Sequence, residues 1–199
     1  DLPVHPRLAR MLIEGQRRGV GKRIALLAAL LSERDPFRPT RKPQTATLRR
    51  PRQVLTTRVT YRSDSDVLDR LIAMEKFRER GVTQHNVGTL QTGTAYHVLK
   101  VAKELEKTLE EDAADIAIDG SDADQEVLKC LLVAFPDRLA RRRAIGANKG
   151  MMVGGKGIRL ANSSAVQDSE LFLCVDVDAG KTDAWVRLAS GIEREWLDA

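Results

Sequence analysis

The chain has 199 residues, of which 42% are hydrophobic and 31% charged, a composition typical of a globular protein and unlike that of a disordered or fibrous one. It has no apolar run of about eighteen residues and no signal-peptide pattern, so we expect a soluble protein with no membrane partner. The net charge is +5, but the charges are distributed unevenly along the chain. Residues 1–62 contain 15 Lys/Arg and 4 Asp/Glu, residues 63–130 contain 8 Lys/Arg and 15 Asp/Glu, and residues 131–199 contain 10 Lys/Arg and 9 Asp/Glu. This asymmetry indicates a polyanionic partner for the basic first part.

Residues 4–36 predict two consecutive helices. Apolar residues recur at helical spacing at Val4, Leu8, Met11 and Leu12. Gly19 and Gly21 then interrupt the pattern. Residues 24–31 are apolar on nearly all sides, which predicts a buried helix, and Pro36 ends it because proline disfavours helix at the residue before it.

Residues 37–62 contain three prolines and eight Arg/Lys with no acidic residue, so we predict a long basic loop there, with either a solvated or a binding role. Ser63–Asp66 supply capping residues for a helix that Gly81 ends. Residues 87–111 predict a long helix whose charged side is most simply a solvated face, with a partner helix as the alternative. After the acidic residues 112–124, a further core helix is closed by Pro136.

The pattern changes near Gly146 from a helical period to glycine-rich turns and a period of two. Apolar residues alternate over 171–177, and the same period returns after Trp185. We therefore predict a domain boundary near residue 145, with a helical domain over 1–145 and a small β domain over 146–199.

Residues 150–156 match the GxxxxGK part of a phosphate-binding loop, but Gly157 stands where that loop needs a Ser or Thr to bind magnesium. The following residues read as a strand, whereas the loop needs a helix N-terminus. We interpret the segment as a glycine-rich β-hairpin. No nucleophile and base pair is indicated, and His5, His85 and His97 lie far apart, so we predict neither a catalytic nor a metal site.

Cys130 and Cys174 lie within apolar runs. They read as two buried thiols of a protein in a reducing compartment, for which we expect the cytoplasm. The chain begins at Asp1 and enters a helix almost at once, so we expect a piece of a longer protein.

The segment 138–159 is the strongest candidate for a binding surface, because it holds seven cations and no acid. These cations are Arg138, Arg141, Arg142, Arg143, Lys149, Lys156 and Arg159. If residues 137–142 are helical, Arg138, Arg141 and Arg142 share one face and could neutralise phosphates. Cations also accumulate at helix C-termini without any ligand. No aromatic residue lies within the segment, so base stacking is not indicated.

Three parts of the chain, the first of which contains two quoted segments, carry a resemblance to a known family. HPRLARML at 5–12, followed by ALLSERDP at 29–36, resembles the ratchet-like, helicase-associated region of DEAH-box RNA helicases. LLVAFPDRLARRR at 131–143 and MMVGGKGIRLA at 151–161 look like the bacterial HrpB branch. The resemblance implies a mainly α fold with a small β part: a helical ratchet-like domain followed by a small OB-like barrel or sheet.

The same resemblance implies that RecA-like motor domains precede this region in the parent chain and bind ATP and Mg there, with no cofactor in this part. The region would contact single-stranded RNA or DNA and support unwinding. Two alternatives stay open: a free-standing nucleic-acid-binding adaptor, and a protein-interaction module that uses the acidic middle.

Overall fold

The computed structural model describes residues 4–38, 63–109, 120–178, 180 and 182–197. The helices within these ranges are α1 (Pro6–Arg17), α2 (Gly21–Ser32), α3 (Asp66–Arg80), α4 (Thr92–Leu109) and α5 (Ser121–Ala134). The strands are β1 (Phe37–Arg38), β2 (Gln84–His85), β3 (Gly88–Leu90), β4 (Leu139–Arg142), β5 (Lys149–Met152), β6 (Lys156–Leu160), β7 (Leu171–Asp178) and β8 (Ala184–Ile192). Among these residues no helix combines the length and the apolar character that crossing a membrane requires.

The predicted helix pair at the start of the chain is α1 and α2. Pro6 opens α1, where its missing N–H costs nothing, and His5 caps the helix by accepting from the Arg7 N–H. Gly15 lets the helices approach closely, because a Cβ there would lie 2.5 Å from the Ile24 side chain. Residues 24–30 are all buried, as the apolar run predicts.

The third helix has the predicted ends. Ser65 caps α3 by accepting from the Leu68 N–H, and Gly81 ends it with a φ of 66°, a conformation that glycine adopts without strain. Of the predicted basic loop 37–62, only Phe37 and Arg38 lie within the described residues, and both belong to β1. Residues 112–119 of the acidic stretch also lie outside them.

The predicted helix over 87–111 is wrong at its start, because α4 begins at Thr92. The preceding residues form strands β2 and β3, and β3 pairs with β1 on one side and β2 on the other in a three-stranded antiparallel sheet. Gly88 has a φ of 132°, which is incompatible with a helix. Strands of two or three residues are too short for a period of two to distinguish them from the helix that follows.

The second half forms a closed barrel with the strand order β4-β5-β6-β8-β7. All pairs are antiparallel except β6 with β8, which is parallel. Five strands closed into a barrel confirm the expected OB-like part beside a helical one. The barrel interior contains Ile158, Leu160, Phe172 and Val186, each at most 2% exposed.

The barrel begins earlier than the pattern change near 145. The condition that residues 137–142 are helical is not met, since Pro136–Arg138 form a single 3₁₀ turn and β4 follows at once. Pairing with β5 on one side and β7 on the other fixes Leu139–Arg142 as a strand, so tertiary hydrogen bonds override the local helical spacing. The division into two domains stays a prediction.

The helices and the barrel share buried contacts. Leu173, Val175 and Ile192 of the barrel wall pack into the helical core. At the start of α3, the buried Asp66 carboxylate accepts hydrogen bonds from the Ser164 Oγ at 2.6 Å, the Ala165 N–H at 2.6 Å and the Ala189 N–H at 3.0 Å. Asp66 therefore fastens α3 to β8 and to the loop before β7.

Candidate nucleic-acid interface

An exposed basic row crosses the outside of the barrel. Lys149 of β5 lies opposite Arg159 of β6, and Arg159 lies beside Trp185 of β8. All three side chains are exposed because their inward neighbours along the strands, such as Ile158 and Val186, occupy the barrel core. Arg143 adjoins the row, since its N–H donates to the Lys149 carbonyl at 3.0 Å. We call Arg143, Lys149, Arg159 and Trp185 the basic barrel face.

Among the residues that the structure describes, no carboxylate is paired with the cations of the basic barrel face. Within the described ranges, Arg143, Lys149 and Arg159 form no ion pair. Like charges directly opposite each other on neighbouring strands are destabilising, and Lys149 and Arg159 are such a pair. An anion lying across both would remove this repulsion.

Two carboxylates lie at the margin of this face. Asp183 lies over Gly157, since a Cβ added at that glycine would collide with its carboxylate. Asp178 is opposite Trp185, but it is already paired with Arg187. The centre of the basic barrel face is therefore positively charged, whereas its edge carries charges of both signs.

Exposed apolar side chains flank the cations. Met151 lies on β5 with 47% of its surface exposed, and Val153 follows at 56%. Ile145, in the loop between β4 and β5, is 95% exposed. OB-folds bind oligonucleotides with the face of their second and third strands and with adjoining loops, and β5 and β6 are the second and third strands of this barrel.

Arg142, predicted to lie at the centre of the binding surface, is buried in the structure. It shares the inward side of β4 with Ala140, and its guanidinium lies 5.3 Å from the centre of the Phe172 ring. It donates to the carbonyls of Ser169 at 2.8 Å and Val166 at 3.0 Å, and also to that of Ala147. Burial lowers the pKa of Arg142. Its bonds join the loop after β4 to the loop before β7, which is a structural role.

The remaining predicted residues, apart from the buried Arg142, are bonded to groups outside the basic barrel face. Arg141 is exposed, but its Nε donates to Glu170 at 2.9 Å. Arg138 donates to the Val175 carbonyl at 2.7 Å where the helices meet the barrel. Lys156 donates to the Gly180 carbonyl at 3.2 Å in the loop before β8. Of the seven predicted cations in residues 138–159, the structure therefore brings together Arg143, Lys149 and Arg159 on the basic barrel face.

Sequence reasoning missed Trp185 because it lies 26 residues after Arg159. The parallel pairing of β6 with β8 brings the two side by side. The period of two after Ala184 indicates that Trp185 points outward, but only the barrel's strand order shows which strand is its neighbour.

A cavity of about 750 Å³ lies between the helices and the barrel. Its lining includes the apolar residues Leu8, Val67 and Leu188, the cations Arg7 and Arg70, and the acidic residue Glu33. Both signs of charge meet there, so it suits a polyanion less well than the basic barrel face. In the part of the chain that the structure describes, no cluster of His, Cys, Asp or Glu could hold a metal ion.

Comparison with known proteins supports the resemblance seen in the sequence. Residues 5–79 match the family described as "Helicase associated domain (HA2), ratchet-like". A search of curated proteins finds no match. The crystal structure of E. coli DExH-box NTPase HrpB matches with a TM-score of 0.56 and 18% sequence identity, covering 98% of this chain and 18% of that one.

This chain thus spans less than a fifth of the length of the HrpB structure it matches. At this level of identity the likeness concerns the fold, and the family match identifies the first helices. Residues 5–79 therefore resemble the helicase-associated, ratchet-like family, and the chain as a whole has the fold of the matching region of HrpB.

Proposed function

We propose that the chain is the accessory C-terminal region of an ATP-dependent RNA helicase, and that its basic barrel face contacts single-stranded nucleic acid. The ratchet-like family over 5–79 and the HrpB-like fold support the helicase part. The observation that carries the nucleic-acid part is the opposition of Lys149 and Arg159 on the OB-type face, where neither is ion-paired with a described residue. RecA-like motor domains of the same parent would bind ATP and Mg and move the strand.

The chemistry of the face suits the phosphate backbone. Lys and Arg that neutralise phosphates release counterions, which provides affinity without reading sequence. A helicase must pass any sequence, so contact through the backbone fits the task. The affinity of this region alone should be modest, because the motor domains would supply most contacts.

The experiment compares two double variants that remove the same charge. Lys149→Gln with Arg159→Gln removes two cations of the basic barrel face. Arg141→Gln with Arg194→Gln removes two exposed cations that share Glu170. Binding of a labelled single-stranded RNA is followed by fluorescence anisotropy at several salt concentrations.

We expect the first double variant to bind all sequences more weakly and to flatten the slope of log affinity against log salt by about 1.4, at about 0.7 per phosphate contact. The second should change the slope less, because its cations already have a carboxylate partner. Equal effects of the two variants would show that net charge, not this face, governs binding. Circular dichroism checks that each variant is folded.

A free-standing nucleic-acid-binding adaptor would have the same face without a motor. The reading frame upstream of Asp1 separates the two cases. We expect it to encode two RecA-like domains, and their absence would favour the adaptor.

A further inference from the structure

We propose that Trp185 is a base-stacking residue, on whose indole a base of the bound strand lies while the adjoining phosphates contact Arg159 and Lys149. This inference rests on the proposed function and adds an aromatic contact to the same site. It identifies the ligand as nucleic acid whose bases are unpaired, since a base within a duplex has no free face to offer.

The position of Trp185 supports this role. Its chain neighbours Ala184 and Val186 are 2% and 0% exposed in the barrel core, so the indole lies on the outer wall. It remains 39% exposed, although tryptophan is on average a highly buried residue. Part of a large aromatic surface is therefore open to solvent beside the cations.

The order of the residues across the sheet also fits a single strand. Neighbouring strands are about 4.8 Å apart, so Lys149, Arg159 and Trp185 form a row about 10 Å long in which two cations are followed by an indole. Proteins that bind single strands combine a basic track with aromatic residues on which bases stack. Arg187 holds the Asp178 carboxylate in an ion pair, which reduces the negative charge beside the indole.

The first test measures affinity for a mixed-sequence RNA oligonucleotide. Trp185→Leu should raise the Kd by about 5- to 150-fold, the loss expected for one stacked base. Trp185→Phe should keep most of the affinity because it keeps an aromatic ring. Neither variant should change the salt slope, since no charge is removed. The control is Tyr96→Leu, which removes a 64% exposed aromatic residue from α4 and should leave the Kd unchanged.

The second test uses the indole itself. In a Trp196→Phe background, Trp185 supplies all tryptophan fluorescence, as the sequence has two tryptophans. The oligonucleotide should quench this fluorescence, while an abasic strand of equal length should bind more weakly and quench much less.

The outcomes separate the two proposals. If Trp185→Leu binds as tightly as the parent chain while Lys149→Gln with Arg159→Gln weakens binding, stacking is refuted and the proposed function stands. If abasic and normal strands quench equally, stacking is refuted as well. If the unmodified chain binds no single strand at any salt concentration, the nucleic-acid part of the proposed function fails and the role of Trp185 fails with it.

Discussion

The removal of one carboxylate, by Asp66→Ala, should weaken the attachment of α3 to the barrel. Asp66 is 5% exposed and accepts from the Ser164 Oγ and from the Ala165 and Ala189 N–H groups. The variant leaves these donors without the carboxylate, and a buried unsatisfied donor costs about 1–3 kcal/mol. The Ser164 hydroxyl can rotate, so the two backbone groups dominate and the expected loss is about 2–6 kcal/mol. That is a large share of the typical 5–15 kcal/mol of a folded domain.

Urea unfolding followed by two probes measures this loss. Circular dichroism reports mainly the helices, while fluorescence reports Trp185 and Trp196 in and after β8. In the parent chain we expect the two transitions to coincide. In Asp66→Ala both midpoints should fall, and the transitions should separate because α3 no longer holds the barrel.

Asp122→Ala is the matched control for this prediction. Asp122 also lies in the first turn of a helix, but it is exposed, and the bond that it accepts from the Ser121 hydroxyl is long, at 3.4 Å. Its loss should cost at most about 1 kcal/mol through the helix dipole. If Asp66→Ala and Asp122→Ala lower the free energy of unfolding equally, the buried hydrogen bonds do not hold the two parts together.

Two further predictions concern buried groups of the barrel and the helical core. Arg142→Gln should lower the free energy of unfolding by about 2–4 kcal/mol, because it leaves buried carbonyls without donors. Arg143→Gln on the exposed face should change the free energy of unfolding by less than about 0.5 kcal/mol. If the two variants had equal effects in thermal unfolding, the structural role of Arg142 would be contradicted. Burial raises the pKa of Cys130 and of Cys174 to about 12, so both thiols should react with a thiol reagent at pH 8 only after unfolding, and rapid labelling of the native chain would contradict their burial.

The local signals of the sequence predict the helical part well. Ser65, Gly81 and Pro136 mark helix ends by backbone chemistry that acts within one or two residues. The apolar run of α2 predicts its burial because a helix without a polar face cannot lie at the surface. The glycine-rich hairpin is also local, since Gly154 and Gly155 have φ values of 86° and 81°.

Long-range pairing decides the features that the sequence leaves open. The run RLARRR fits a helix and a strand equally, and its pairing with β5 and β7 makes it a strand. In the strand, Arg142 points inward and Arg141 points outward. These two cations would share one face of a helix, but here they have different roles. Trp185 belongs to the basic barrel face only through the pairing of β6 with β8, which no short window of sequence contains.

The shared core of helices and barrel has a mechanical consequence. Leu173 and Val175 of β7 and Ile192 of β8 face the helices, while Phe172 and Val186 of the same strands face the barrel interior. These two strands are thus a wall common to both parts, and a hinge at this wall would have to break apolar packing on one side or the other. Under the proposed function, a pull on a nucleic-acid strand bound at the basic barrel face would be transmitted through this wall to the helices, so that helices and barrel would move together.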